Sequence, residues 1–297
     1  MKRIHFDDFL KQRRKKLIRG LLFFATFIFI LFLLNSYINK DNPFIAKLSI
    51  DSIIMNNPEL IKQLELLKNN KNLRAVLVDV NSPGGTVVGS KEIYDNLKKI
   101  SEKIPVAISM KEVAASGGYM VALAGNKIFC YEGTITGSVG VIMQSVNIEK
   151  LLESLGIEPV IFKSGELKAK PNPIEKLSSS DKDIIQKIIK SIHESFLTMV
   201  KNNRKISEEN LKIISDGRIF TGIEAKKINL VDEIGSEKDA LDWLKAETKL
   251  EKDIDVIKIE GETNFSNVLD ILSLKGIFKK KLSISNGLFA IWAPYYE

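Results

Sequence analysis

Two short runs, RAVLVDV (residues 74–80) and IPVAISM (104–110), constrain this chain more than any other feature. Each is a nearly unbroken series of aliphatic residues, many of them branched at Cβ, rather than an in–out alternation. That is the pattern of a strand covered on both faces. Between them, after the break NSPGGT (81–86), lies SKEIYDNLKKI (90–100), whose apolar residues recur at helical spacing. Strand, break, helix and second buried strand make a parallel crossover unit. The same alternation surrounds it. FIAKLSI (44–50) reads as a first strand and PELIKQLELLKNN (58–70) as a helix. KIFCYE (127–132), TGSVGVIMQSV (136–146), the helix IEKLLESLG (148–156) and the strand EPVIFKS (158–164) continue it. From about residue 178 the pattern turns helical, beginning with the long amphipathic stretch 179–203, and a late strand DVIKIEG (255–261) precedes a weakly patterned tail. The expected fold class is α/β, a mostly parallel sheet with flanking helices.

The N-terminal end is of a different kind. Residues 1–19 carry eight basic and two acidic side chains, and the remaining chain carries 36 and 35. The net charge of +7 is therefore a property of the tail, which argues against a basic groove for nucleic acid in the body. The apolar core LLFFATFIFILFLL (21–34) is 14 residues long, short for a span of about 20. Extended from Leu17 to Ile38 it reaches 22 residues, with Arg19 able to snorkel and Tyr37 placed for the other interface. A cleavable signal peptide is the rival, but NSYINKDNPF (35–44) offers no small-x-small cleavage site. The expectation is a basic cytoplasmic tail (1–16), a transmembrane anchor (17–38), an extracytoplasmic domain (39–260) and a C-terminal tail (261–297) that serves assembly or contacts the active site. The single cysteine, Cys130, excludes an intrachain disulfide and reads as a small core residue.

Histidine is nearly absent. His5 lies in the basic tail, and His193 sits within the long helical stretch as a partly exposed side chain. No metal site and no cofactor are expected, and a serine nucleophile here would need a base other than histidine. The loop NSPGGTV follows a buried strand, and Pro83, Gly84 and Gly85 suit it either to a tight turn or to aiming a bare N–H at a ligand oxygen. Ser116, in AASGGYM, precedes a short buried helix. Read alone, it fits a helix-capping serine better than a nucleophile. The helix N-terminus would nevertheless favour an oxyanion there, with the N–H groups of Gly117 and Gly85 as donors. Gly118 is expected to leave room for a substrate strand. FKSGELKAKPNP (162–173) offers three lysines as base: Lys163, Lys168 and Lys170. A lysine acting near neutral pH needs its pKa lowered by roughly 3 units, about 4 kcal/mol, which burial can supply. Lys168, between Leu167 and Ala169, is the best placed for such an apolar setting.

NSPGG (81–85), AASGGYMVALAGNKI (114–128), GTITGSVGVI (133–142) and KSGELK (163–168), in this order, resemble the short form of the signal peptide peptidase A family. The similarity runs from about residue 45 to about residue 245 and includes DGRIFTGIEAKKINLVDEIG (216–235). The resemblance implies a Clp-protease/crotonase-like fold and a membrane-anchored serine protease with a Ser/Lys dyad. It implies Ser116 as nucleophile, Lys168 as general base, Ser138 as the hydroxyl that supports the lysine, and Gly85 and Gly117 as the oxyanion hole. Ala169 stands where many relatives carry aspartate, which leaves Lys170 as the alternative base. It further implies a homo-oligomer of eight subunits in which neighbours share each site, acting on cleaved signal peptides and other extended apolar peptides at the outer face of the cytoplasmic membrane. A related protease with a dedicated protein substrate, a crotonase-type acyl-CoA enzyme and a non-catalytic membrane scaffold are the competing expectations.

Overall fold

The computed structural model describes residues 6–38, 43–249, 254–259 and 289–291, and the chain divides into two units, Met1–Pro43 and Phe44–Glu297. Among the described residues the first unit holds one helix, α1 (Phe6–Ile38). Its apolar side chains from Leu17 to Ile30 are largely exposed, Phe23 at 77%. Among the described residues no helix is long and apolar enough to cross a membrane. The side chains of residues 31–38, which complete the apolar run, lie outside the described ones.

The second unit is built on the two buried runs. They become β2 (Leu73–Ser82) and β4 (Val106–Ala115), paired in parallel at the centre of the sheet. β1 (Phe44–Asp51) flanks β2, and β9 (Asp255–Ile259) flanks β1, both in parallel. On its other side β4 is shared. Its first half pairs with β5 (Lys127–Cys130), and its last residues pair with β6 (Ile135–Gly137). β5 carries the short β8 (Glu233–Ile234), and β6 carries β7 (Ile219–Thr221) antiparallel, so the sheet is mixed at that edge.

Helices cover both faces. α2 (Pro58–Lys68), α3 (Val87–Ser101), α4 (Gly117–Ala122) and α6 (Ser179–Asn203) bury their apolar stripes on the face formed by Leu48, Val78, Val80 and Ile108. α9 (Glu237–Thr248) covers the opposite face, where Ile45, Ala75, Leu77 and Ala107 meet Ala240 and Leu244. Each of the longer helices starts where a polar side chain can accept an orphan N–H: Asn57 for α2, Thr86 for α3 and Ser178, in a capping box with Asp181, for α6. At the start of α9, Glu237 bonds Lys47 and Lys111, and both lysines also reach Asp79, at 3.0 Å each. Two short helices, α7 (Glu208–Ile214) and α8 (Gly222–Lys227), connect α6 to the sheet edge.

One expectation changes, and one stretch that carried no element type is placed. EPVIFKS is no strand. Val160 and Phe162 are 75% and 94% exposed, and the segment has no strand neighbour among the described residues to satisfy its backbone. TGSVGVIMQSV is strand at its first two residues and bridged again at Ile142, and the short helix α5 (Glu149–Ser154) follows before α6.

Candidate active site

β4 runs four residues beyond IPVAISM and its following lysine, to Ala115, so Ser116 is the first residue off a central strand. Its φ of 55° and ψ of −116° lie outside the regions open to residues with a Cβ. The turn is pinned from both sides. The Ser116 N–H donates to Gly137 O at 2.8 Å, and its carbonyl accepts from Met120 N–H at 2.9 Å. Although Ser116 occupies the N-cap position of α4, its hydroxyl caps nothing. The helix-cap reading therefore fails on geometry: a capping serine has extended backbone and an occupied oxygen. The residue is buried, 1% exposed, in a segment that is buried throughout.

The loop NSPGG packs directly on this turn. Ser82 is fully buried, and its hydroxyl accepts from Gly84 N–H at 3.1 Å. A side chain on Gly118 would lie 2.6 Å from Ser82 O, so Gly118 admits the neighbouring loop. This corrects the expectation that it leaves room for substrate. Gly84, at φ 106°, opens β3 (Gly84–Thr86). One edge of β3 bonds Ile54, through Ile54 N–H to Gly84 O at 2.9 Å and Thr86 N–H to Ile54 O at 2.8 Å. Strand alternation turns the N–H of Gly85 to the other edge. There β10 (Phe289–Ile291) runs antiparallel, with Ala290 opposite Gly85. The Gly85 α-carbon faces the Ile54 backbone, where a Cβ would sit 1.8 Å from Ile54 O, so no other residue fits. Gly117, first residue of α4, has an N–H with no acceptor inside the helix.

β6 brings the third piece. Its register pairs Ala115 with Gly137, which sets Ser138 beside Ser116. Ser138 is left-handed at φ 49°, and its N–H donates to Arg218 O at 2.8 Å. The segments that carry Ser116 and Gly117, Gly85, and Ser138 thus neighbour one another.

The three lysines stand in settings unlike that of the buried Ser116. Lys163 binds Glu175 at 2.6 Å, and Lys170 lies 3.2 Å from Glu175 and 3.6 Å from Asp181. Burial alone would lower the pKa of Lys170, but the hydrogen bonds and charges of those two carboxylates outweigh it and raise the value, opposite to what a base requires. Lys168 is exposed on a turn, outside those ion pairs, and its backbone N–H donates to Gly165 O at 3.0 Å. Its own chain does not supply the enclosed apolar setting. Sequence reasoning also missed a contact: His193 is half-buried and its Nε2 lies 3.1 Å from Val139 O. No periodicity in the helix announces a partner 54 residues away. Cys130 is buried in β5 and burial pushes its thiol up to about 11, in keeping with a core role.

Residues 98–251 match the family model described as Peptidase family S49, and residues 44–135 match the one described as Clp protease. The chain belongs to peptidase family S49. An Enterococcus faecium relative bearing the name signal peptide peptidase SppA is 37% identical over 75% of this chain and 69% of its own. A protease of Synechocystis is 38% identical over 74% and 78% of the two chains. Protease 4 of Haemophilus influenzae is 33% identical over 58% of this chain but only 28% of its own length. Among solved structures, a point mutant of ClpP1 from Listeria monocytogenes aligns with 66% of this chain and 94% of its own, at 22% identity and a TM-score of 0.45. As an S49 peptidase the chain is a serine protease, on an α/β fold of the Clp-protease kind.

Proposed function

We propose that this S49 peptidase is a membrane-anchored endopeptidase with a Ser/Lys dyad that degrades cleaved signal peptides and other extended apolar peptides on the extracytoplasmic side. The observation that carries this reading is Ser116: a buried, uncapped hydroxyl on a strained turn, beside Ser138 and against the Gly84–Gly85 loop. In the reaction, neutral Lys168 removes the Ser116 proton, and Ser138 holds the lysine amine. Ser116 Oγ attacks the peptide carbonyl, and the N–H groups of Gly85 and Gly117 stabilise the oxyanion. The amine of the leaving peptide takes the proton, and water then releases the acyl group.

Three observations support the finer points. Lys168 is exposed and uncommitted to the Glu175 ion pairs, while nearby apolar side chains stand open to solvent, Val146 at 73%, Leu155 at 63% and Phe162 at 94%. A neighbouring copy packed on this arm would enclose Lys168 and complete a site at its own Ser116, as in a homo-oligomer of eight. The edge of β3 that β10 occupies suits an extended peptide, since it already takes an antiparallel strand. The C-terminal tail is accordingly read as an active-site contact that competes with substrate. The exposed apolar side chains of α1 suit lipid, with the basic tail kept cytoplasmic.

The test is fluorophosphonate labelling of the full chain. Ser116→Ala should abolish labelling, and Lys168→Ala should fold yet label at background. Mixing those two inactive variants should restore activity, because intact Ser116 and intact Lys168 then meet across a subunit boundary. Persistent labelling of Ser116→Ala sinks the nucleophile. No recovery on mixing, with each variant assembled, sinks the shared dyad.

A further inference from the structure

Three consecutive residues beside Ser116 are each held by a different element. Gly137 O accepts the Ser116 N–H at the end of β4, at 2.8 Å. Ser138 N–H donates to Arg218 O, just before β7, at 2.8 Å. Val139 O faces Nε2 of His193, on α6, at 3.1 Å. Gly137 and Ser138 are both left-handed, at φ 81° and 49°, so the chain turns sharply off β6 there and has little regular structure beyond. The first two bonds fix the turn on the sheet side. His193 alone of the three ties down the carbonyl on the departing side of Ser138.

A carbonyl oxygen can only accept, so Nε2 must carry the hydrogen. That holds for the cationic ring and for the neutral Nε2–H tautomer, so the bond survives either state. It also means that Nε2 has no lone pair to offer Ser116. The ring is firmly mounted: from one turn along α6, Phe196, Met199 and Val200 are buried in the core.

We infer that His193 is a positioning residue of the active site, which through its Nε2–H bond to Val139 O sets where the Ser138 hydroxyl stands. This rests on the Ser/Lys reading, in which that hydroxyl holds the lysine amine. A displacement of about 1 Å in such a group costs on the order of 100-fold in rate.

The experiment compares His193→Gln with His193→Asn in the full chain. Both are neutral amides. The longer reaches the Nε2 position with an N–H, and the shorter stops near Nδ1. His193→Leu serves as the apolar control, and Ser116→Ala as the nucleophile control. The readouts are kcat and KM on an apolar fluorogenic peptide, fluorophosphonate labelling, and thermal melting. His193→Asn and His193→Leu should lose about 10–100-fold in kcat with KM nearly unchanged. His193→Gln should stay within about 3-fold of the parent chain. A kcat for His193→Asn equal to the parent overturns the inference. So does a His193→Gln variant as impaired as His193→Asn, which would assign the ring another task. If His193→Leu fails to fold, the Gln and Asn pair decides alone. Labelling that persists in Ser116→Ala overturns the Ser/Lys reading and this inference with it, a result distinct from either of the others.

Discussion

Replacing Ser116 by glycine should make the protein more stable than replacing it by alanine, although both changes remove the same hydroxyl. The native φ of 55° with ψ of −116° is open to glycine and strained for any residue with a Cβ. Such strain costs roughly 1–3 kcal/mol. Alanine keeps it, and glycine releases it. Against this, glycine gains about 0.5–1 kcal/mol more backbone freedom on unfolding. The loss of one methyl-sized group from this buried position subtracts part of what remains. The net preference is about 1 kcal/mol for Ser116→Gly over Ser116→Ala, or about 2–4 °C in melting temperature for a domain of this size. The bonds from Ser116 N–H to Gly137 O and from Met120 N–H to Ser116 O are main-chain and persist in both variants. The assay is thermal unfolding of the two variants side by side, with fluorophosphonate labelling to verify that both are inert. A Ser116→Ala variant as stable as Ser116→Gly would refute the claim that the turn stores strain at Ser116.

Gly85→Ala should lose both stability and labelling: a Cβ 1.8 Å from Ile54 O must break the two Ile54 bonds, costing about 2–4 kcal/mol by chemical denaturation. Removing the chain from residue 289 onward should lower KM for peptide without changing the melting temperature, since β10 occupies the β3 edge; an unchanged KM counts against the tail as competitor. Burial alone would raise Glu237, but its bonds to Lys111 and Lys47 bring it from 4.5 down to about 2. Its stabilisation should therefore be present above about pH 4.5 and vanish as pH falls toward 2, with Glu237→Gln costing about 1 kcal/mol at pH 7 after allowance for its partial exposure. The Cys130 thiol, raised to about 11, should resist iodoacetamide at pH 8 in the native chain and react on unfolding, as mass spectrometry would register.

The strand content of this protein was written in local pattern. RAVLVDV and IPVAISM became the two central strands because a run apolar at every position is stable only when covered on both faces, and that demand does not depend on distant residues. The segment EPVIFKS shows where such reasoning stops. Its residues have strand propensity, yet a strand is completed by a neighbour, and no described residue of this chain stands beside it as one. The site divides in the same way. The order of the glycines, serines and lysines was legible, and so was the scarcity of histidine.

Only the tertiary structure decided how Ser116 is held. Its turn is pinned through the pairing of β4 with β6 and the bond to Gly137 O, 21 residues further on. The role of Gly118 likewise depends on a loop 36 residues earlier, whose Ser82 carbonyl leaves no room for a Cβ. His193 meets Val139 because α6 crosses the site loop, a fact of packing rather than of helical periodicity. Composition and spacing fix which chemical groups a chain owns and which elements carry them. Backbone strain, close approach and shared hydrogen bonds arise between elements, and those made a capping serine into a candidate nucleophile.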